Sequence, residues 1–302
     1  GGTFTDFVLI DTGTGEVRRG KCLTTPDDPV RGILTGLERM KQDYSLRDGD
    51  IVGAAHATTL VANTIIERNG TATGFIATKG FRDILEIGVD TRYDIYDLDI
   101  SFPEPLVPRQ HRLEIDERTG ANGETLKAPV ESEVIARAQE LIDAGIRSVA
   151  VCLLHTYRNP AHERAVRDVL RQEFPDLDVS ISSDVAPEIR EYERASTVVA
   201  NAYVRPVMES YLRRLNEALQ RAGVAGVLFV MLSNGGVTHA DVAAAVPIRL
   251  IESGPAAGVL GAIRVCGDAG GDLLAFDMGG TTAKVCLVAG GAPAHTSSIE
   301  VA

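Results

Sequence analysis

Apolar, strand-like runs alternate with amphipathic stretches along much of this chain, and this alternation predicts an α/β protein. The clearest part contains a helix over Glu131–Ala144 closed by Gly145, a buried strand over Ser148–Leu154, a helix over Pro160–Phe174 and a strand over Asp178–Ser182. Strands separated by helices of this length are typical of βαβ units. We therefore expect a parallel sheet in this part of the chain.

The same pattern predicts further elements on both sides of that segment. These are a hairpin around the TGTG turn, a helix from Pro29, a strand at Asp50–Ala55, a helix at 60–70, strands at Thr73–Thr78 and Gly226–Leu232, a helix at Ala240–Ala245, and strands at Leu273–Asp277 and Lys284–Val288. Between Phe81 and Pro129 charges, aromatic residues and prolines weaken the pattern. We expect a long connection with short strands there.

Residues 187–223 are predicted as two consecutive helices broken near Arg205 and Pro206, because proline removes a helical donor and restricts the residue before it. A chain of 302 residues predicts two domains rather than one. We place them at residues 1–184 and 195–302.

Composition and charge exclude several classes of protein. The formal net charge of −12 and the lack of a Lys/Arg stripe argue against a nucleic-acid surface. No apolar run approaches the roughly 20 residues of a membrane span, and no signal-peptide pattern opens the chain. The four cysteines are scattered without a CxxC pair, which argues against a zinc or redox site and favours a reducing, cytoplasmic setting.

One short phrase occurs near both ends of the chain, as GGTFTD at 1–6 and as DMGGTTAK at 277–284. A Gly-Gly-Thr turn lets the backbone approach an anion without a Cβ in the way, presents N–H donors and adds a hydroxyl. A single copy is usually only a turn. Two copies predict two half-sites that face each other across one cleft and hold a single polyphosphate. The chain has no P-loop and no GxGxxG after a strand, so other modes of phosphate binding lack support.

A carboxylate accompanies each turn, Asp6 after the first and Asp277 before the second. Each could hold Mg²⁺ through water, or orient and deprotonate a nucleophile. The alternative is that each aspartate caps its own turn. Hydroxyl donors to phosphate, for which turn capping is again the alternative, are Thr3, Thr5, Thr281 and Thr282.

Two other segments are candidates for contact with a substrate. The first is a strand-to-helix junction, where exposed N–H groups can bind an anion or a polarised carbonyl, although an N-cap arrangement is the more frequent structure. Its residues are His56, Thr58 and Thr59. The second is the charged run FRDILEIGVDTR, which contributes Arg82 and Arg92.

Two charged features have mainly structural interpretations. Lys284 either faces the phosphates or is a solvated charge at a strand edge, and we favour the solvated charge. The run EIREYER at 188–194 carries charges at helical spacing and is interpreted as a solvated helix face.

In several ordered segments the chain resembles the hydantoinase A / 5-oxoprolinase family, which includes N-methylhydantoinase and an acetone carboxylase subunit. These segments are GGTFTD, LTTPDDP, HATTLVANTIIER, GFRDILEIG, VCLLHTYRNPAHE, EIREYERASTVVANAYVRP, SNGGV, SGPAAG and FDMGGTTAK. The resemblance covers essentially the whole chain. It implies an actin-like ATPase fold of the superfamily that includes sugar kinases, with two ribonuclease H-like halves whose mixed sheets are flanked by helices.

The resemblance also implies an ATP site with Mg²⁺ or Mn²⁺. The first phosphate loop would comprise Gly1, Gly2, Thr3, Thr5 and Asp6, and the second Asp277, Gly279, Gly280, Thr281 and Thr282. Asp6 and Asp277 are the implied catalytic and metal-binding residues. Members of the family usually have an aspartate before the first Gly-Gly, and many have glycine at Ala57 and aspartate near Lys284. We therefore expect weaker metal ligation at the second loop, a missing first strand, and truncation before the part that binds adenosine.

The implied reaction is the ATP-dependent opening of a cyclic amide such as hydantoin, N-methylhydantoin or 5-oxoproline. Phosphorylation of the amide oxygen would create a good leaving group, so that water can attack the ring carbon. A hydantoinase B-like subunit or domain is the implied partner, and we expect an oligomer. The alternatives are a small-molecule kinase of the same superfamily, a non-catalytic ATP-binding subunit and an acetone carboxylase-type subunit.

Overall fold

The structure is a computed structural model that describes residues 3–25, 27–89, 96, 99, 102–266, 271–278, 283–296 and 299. The helices are α1 (Pro29–Asp43), α2 (Leu60–Ile66), α3 (Ile84–Ile87), α4 (Glu131–Asp143), α5 (Ala161–Glu173), α6 (Ser182–Val185), α7 (Glu191–Arg221), α8 (Ala240–Ala245) and α9 (Ser253–Cys266). Short 3₁₀ turns lie at Arg109–His111 and Pro247–Leu250.

The strands are β1 (Phe4–Ile10), β2 (Val17–Leu23), β3 (Ala54–His56), β4 (Thr73–Thr78), β5 (Arg112–Ile115), β6 (Arg118–Thr119), β7 (Thr125–Lys127), β8 (Ser148–Cys152), β9 (Asp178–Ile181), β10 (Leu228–Met231), β11 (Val237–His239), β12 (Leu273–Met278), β13 (Ala283–Ala289) and β14 (Ala292–Pro293). The predicted α/β character is confirmed. None of the helices within the described residues is both long and apolar enough to cross a membrane.

The chain forms two compact units. The first unit combines residues 1–63 with 208–301, and the second is continuous over 64–207. The chain leaves the first unit within α2 and returns to it within α7. Because these units divide the chain by spatial contacts, the boundary that the sequence suggests between 184 and 195 stays a prediction.

The second unit contains the predicted parallel sheet, with strand order β5–β4–β8–β9 and all neighbours parallel. Every residue of the central strands β4 and β8 is buried, as expected for a sheet covered on both faces. Gly74 is required in β4 because a Cβ there would lie 2.8 Å from the Leu141 side chain of α4. The segment from Phe81 to Pro129 contains the expected short strands, and one of them, β5, forms an edge of this sheet.

The strand order fixes where this sheet can present side chains. From β4 the chain passes to β5 on one side, and it later returns to β8 on the other side of β4. In open α/β sheets the carboxyl ends of the strands at such a reversal of order border a crevice. The backbone N–H of Leu154, just after β8, donates to Thr78 Oγ1 at the end of β4 over 3.0 Å.

The first unit holds three small sheets. β1 and β2 form an antiparallel hairpin, β3 is parallel to β10, and β12, β13 and β14 form an antiparallel meander. Helix α1 packs directly on the first hairpin because Gly36 has no side chain, and a Cβ there would overlap the ring of Phe7. Helix α9 packs against β12 and β13.

The prediction of two helices broken near Pro206 is wrong, because α7 continues through this proline. A proline cannot donate to the carbonyl four residues earlier. Here that carbonyl belongs to Ala202, and it accepts a hydrogen bond from Ser148 Oγ over 2.8 Å, while the Tyr203 carbonyl accepts from the N–H of Thr71 over 3.0 Å. The Ser148 hydroxyl of β8 thus supplies the donor that proline removes, Thr71 adds a second contact to the same turn of α7, and the helix stays intact.

We predict that Ser148→Ala lowers the free energy of unfolding by about 1–3 kcal/mol, because it leaves the buried Ala202 carbonyl without a donor. Pro206→Ala restores a backbone N–H that can reach the same carbonyl. The double variant should therefore lose clearly less stability than the sum of the single variants, measured by urea unfolding. Additive losses would contradict this account of α7.

Candidate functional site

The first hairpin holds three of the predicted phosphate and metal residues. The Thr3 carbonyl accepts from the N–H of Thr24 over 3.0 Å, and the hydroxyls of Thr5 and Thr24 are hydrogen bonded over 3.1 Å. Asp6 lies directly across the hairpin from Lys21, with their charged groups 3.5 Å apart and both side chains exposed. Successive side chains of a strand point to opposite faces. Thr5 and Asp6 therefore do not present their side chains to the same face of β1.

Several predicted site residues lie outside the described residues. They are Gly1, Gly2, Arg92, Gly279, Gly280, Thr281 and Thr282. Their roles stay predictions, and so does the expectation that the two Gly-Gly-Thr turns face each other.

In the second hairpin Asp277 lies directly opposite Lys284, on the face that packs against α9. The Asp277 side chain is exposed. The Lys284 amine forms an ion pair with Glu252, the residue just before α9, and its side chain is only 29% exposed. Lys284 is therefore not the solvated edge charge that we favoured, because a carboxylate from another element accepts its charge.

Three segments that the sequence singled out meet at Glu252 and Ser253, which we call the α9 junction. The backbone N–H of Glu252 donates to the Ser233 hydroxyl of the SNGG turn over 3.1 Å. The buried Ser253 hydroxyl donates to the Thr58 carbonyl over 3.0 Å and lies 3.3 Å from the Thr58 N–H. With the Lys284 ion pair, the α9 junction joins the HATT loop, the SNGG turn and the second hairpin.

The hydroxyls of the HATT loop mainly cap local backbone. Thr58 Oγ1 accepts from the N–H of Leu60, and Thr59 contacts Asn63 in the next turn. This geometry agrees with the capping alternative for Thr58, whereas Thr59 Oγ1 accepts from the Asn63 side-chain amide over 3.5 Å. It leaves their contact with a substrate as a prediction.

His56 ends β3 and is hydrogen bonded through Nε2 to the Tyr211 hydroxyl of α7 over 2.8 Å. Burial lowers the pKa of His56 to about 4, and burial raises the pKa of Tyr211. His56 is therefore neutral near pH 7. It can offer a hydrogen bond to a substrate at that pH, but it does not add a positive charge for binding an anion.

Arg82 belongs to the second unit, whereas His56, Thr58 and Thr59 belong to the first. Arg82 follows the carboxyl end of β4, where its backbone N–H donates to Glu114 over 3.3 Å and its guanidinium lies 3.9 Å from Asp83. Its side chain is thus near a carboxylate of its own loop. The predicted contact of Arg82 with a substrate is untested by these distances.

The interpretation of EIREYER as a solvated face is wrong at Arg194, which is 1% exposed. Arg194 donates to the Leu153 carbonyl over 2.8 Å and lies over the ring of Tyr157. The helical periodicity could have predicted the burial of Arg194, because this residue lies four positions before buried Val198 on the apolar stripe of α7.

Glu163 is a second buried charged residue that sequence reasoning missed, and it sits near the carboxyl ends of β8 and β9. It accepts from the N–H groups of Leu153 and Ser183 and from the hydroxyls of Ser182 and Thr156, over 2.6–3.2 Å. Burial raises the pKa of Glu163. Four donors to one carboxylate, three on Oε1 and one on Oε2, indicate a residue that ties strand ends together.

Glu117 and His162 form a third buried polar contact. The Glu117 carboxylate lies 2.6 Å from His162 Nδ1 and accepts from the Thr78 hydroxyl. These contacts fix the loop after β5 to the end of β4. Within the part of the chain that the structure describes, no three His, Cys, Asp or Glu side chains are arranged to hold a metal ion.

Comparison with protein families identifies the class of protein. The hydantoinase/oxoprolinase N-terminal region matches residues 1–174, and the hydantoinase/oxoprolinase family matches residues 194–302. The chain belongs to the hydantoinase/oxoprolinase family.

Individual relatives agree with this assignment. The chain is 32% identical to the caprolactamase subunit alpha of Pseudomonas jessenii, over 96% of this chain and 43% of that protein. It is 36% identical to the 5-oxoprolinase of Saccharomyces cerevisiae, over 94% of this chain and 25% of that protein. It thus spans less than half the length of these relatives.

Two solved structures have the same fold over nearly the whole chain. One is nucleotide-free acetone carboxylase, from a study of ATP-dependent acetone carboxylation, with a TM-score of 0.86 and 27% identity over 96% of this chain and 43% of that one. The other is the ATP-dependent caprolactamase of Pseudomonas jessenii, with a TM-score of 0.79 and 29% identity over the same shares. The related enzymes with solved structures are therefore ATP-dependent.

We predict that His56 makes the stability of the protein fall in acid. Its folded-state pKa lies below the unfolded value of 6.5, so its contribution is complete above pH 6.5 and is lost as the pH falls towards 4. The loss should be at most about 3 kcal/mol, as 1.36 kcal/mol corresponds to one pKa unit.

Urea unfolding at pH 7 and pH 4 checks this prediction. His56→Gln should show a smaller drop between the two pH values than the wild type. His239→Gln changes an exposed histidine of the same unit and should keep the wild-type drop. Equal drops in the wild type and His56→Gln would refute the assignment.

Proposed function

We propose that the chain is the phosphate-binding part of an ATP-dependent enzyme that opens a cyclic amide, and that its first unit has an actin-like, ribonuclease H-like fold. The α9 junction is the observation that most supports this. It gathers the HATT loop, the SNGG turn and the hairpin of the second Gly-Gly-Thr turn into one region of the first unit. Such a gathering is expected where several loops contact one ligand.

The chemistry of the second hairpin fits a nucleotide that carries Mg²⁺ or Mn²⁺. Asp277 offers an exposed carboxylate at the strand end before the turn. Mg²⁺ is usually held by one or two carboxylates together with phosphate oxygens and water. A site with few protein ligands agrees with the lack of a larger carboxylate or histidine cluster among the described residues.

Asp6 fits a metal less directly, because the Lys21 amine lies 3.5 Å from its carboxylate. We keep Asp6 as the second proposed metal and catalytic residue. In the absence of a metal its carboxylate forms this exposed ion pair with Lys21. Exposed pairs of this kind contribute only about 0–1 kcal/mol, so a divalent ion can displace Lys21.

In the proposed reaction ATP supplies a phosphoryl group to the ring amide oxygen. One water adds to the ring carbon, and the C–N bond breaks as the nitrogen takes up a proton, which leaves an acyl phosphate. A second water then hydrolyses the acyl phosphate to the carboxylate and free phosphate. The protein's tasks are to surround the phosphates with backbone and hydroxyl donors and to orient the attacking groups. We assign the donors to the two Gly-Gly-Thr turns and the orientation of water or metal to Asp277.

The relatives also guide the remaining proposals. Caprolactamase subunit alpha and the acetone and acetophenone carboxylase subunits are named as parts of larger enzymes. We propose a hydantoinase B-like partner, an oligomeric assembly and a cytoplasmic location. Contact of His56, Thr58, Thr59, Arg82 and Arg92 with the cyclic amide is proposed as well.

Product analysis separates this function from its alternatives. The intact protein with its partner is incubated with ATP and a panel of lactams and imides. Free phosphate with a ring-opened acid supports the proposal, whereas a stable phosphorylated product supports a small-molecule kinase. Bicarbonate-dependent consumption of a ketone supports a carboxylase subunit, and ATP hydrolysis that no substrate stimulates supports a non-catalytic ATP-binding subunit.

We predict that Asp277→Ala lowers substrate-stimulated ATP hydrolysis by at least about 100-fold, the scale expected when a group that stabilises transition-state charge is lost. The fold should persist, because the Asp277 side chain is exposed and removes no core contact. Asp43→Ala, which changes another exposed aspartate of the first unit at the end of α1, serves as the control and should keep full activity. Near-normal turnover of Asp277→Ala would contradict its assigned role.

A further inference from the structure

We infer that Glu252 and Lys284 act as a positioning pair that fixes the second Gly-Gly-Thr hairpin to the start of α9 and thereby sets its affinity for nucleotide phosphates. This inference rests on the proposed function. It assigns Lys284 to its contact with Glu252 rather than to a contact with phosphate.

The register of the hairpin makes Lys284 a suitable anchor. Lys284 faces Asp277 directly across the β12–β13 ladder, so the two residues that bracket the turn lie side by side. Its amine reaches away from the hairpin to Glu252 on a different element. A tether at this point restrains both strands next to the turn.

Glu252 is in turn held by the rest of the first unit. Its N–H donates to Ser233, and the following Ser253 is bound to the Thr58 peptide groups. Both members of the ion pair are partly buried, at 29% for Lys284 and 20% for Glu252. Water screens such a pair less than an exposed one, so breaking it has a larger effect.

A double-mutant cycle tests the inference, with the dissociation constant of Mg·ATP for the intact protein as the readout. The variants are Glu252→Gln, Lys284→Met and the double variant. A positioning pair predicts that each single variant weakens binding about tenfold and that the double variant is no weaker, because either change breaks the same contact. Lys284→Arg can still reach Glu252 and should bind nearly as tightly as the wild type.

Two results of this cycle would overturn the inference. One is a much larger loss in Lys284→Met than in Glu252→Gln with additive effects, which would place Lys284 on a phosphate. The other is unchanged binding in both single variants. Lys41→Met is the matched control, since Lys41 of the same unit is also part-buried and lies 2.6 Å from Asp48, and it should bind Mg·ATP normally.

A measurement without nucleotide separates the inference from the proposed function. Cys286 lies two residues after Lys284 on the same face of β13 and is partly buried. In a background where Cys22 and Cys266 are replaced by serine, Glu252→Gln and Lys284→Met should speed the labelling of Cys286 by a thiol reagent to the same extent. Unchanged labelling would refute the pair. If the wild type fails to bind Mg·ATP, the proposed function is refuted, while the labelling still decides whether the pair holds the hairpin.

Discussion

The first unit depends on one buried hydroxyl, that of Ser253. It donates to the carbonyl of Thr58 and accepts from the N–H of the same residue, so one side chain contacts both backbone polar groups of a residue between β3 and α2. Buried peptide groups without partners are costly, and a loop between a strand and a helix has several of them. Because Ser253 begins α9 and follows Glu252, the contact with the HATT loop also holds the residue next to the one that pairs with Lys284 of the second hairpin. In this unit the hydrogen bonding of the HATT backbone and the geometry of the candidate site therefore depend on the same residues.

In the second unit, ionisable side chains provide hydrogen-bond partners for buried backbone groups. Glu163 and Arg194 both contact the backbone of Leu153, the carboxylate through its N–H and the guanidinium through its carbonyl. This arrangement places a carboxylate and a guanidinium on the two backbone polar groups of one residue, just after β8. Both side chains are buried, and each is hydrogen bonded to backbone groups that stabilise its charge. The carboxyl ends of the parallel strands are thus held by polar contacts, whereas the core around the sheet is apolar.

The sequence predicted correctly those helices and strands that have a strong apolar periodicity. The predicted βαβ segment from α4 to β9 differs from the structure by at most two residues at any end, because strong apolar periods and Gly145 leave few alternatives. The sequence-based predictions failed where an element distant in sequence supplies a hydrogen-bond or ion-pair partner. Pro206 does not break α7 because Ser148 and Thr71 lie beside it, and Lys284 is not solvated because Glu252 is within reach. No local pattern contains those contacts, although the stripe of α7 could have revealed the burial of Arg194.

The two hairpins share the Gly-Gly-Thr motif, but their structural environments differ, and this difference affects their chemistry. Counted from the turn, Asp6 of β1 corresponds to Lys284 of β13, so the repeat places opposite charges at the same point. Helix α1 covers the face of β1 that carries Phe7, whereas α9 covers the face of β13 that carries Lys284, and Val285 on its other face is 59% exposed. The carboxylate of the second hairpin, Asp277, comes from the strand before the turn instead. Two carboxylates from non-equivalent positions cannot perform one task by symmetry, which supports different roles for Asp277, proposed to orient the metal or water, and for Asp6, which must release Lys21 before it can bind a metal.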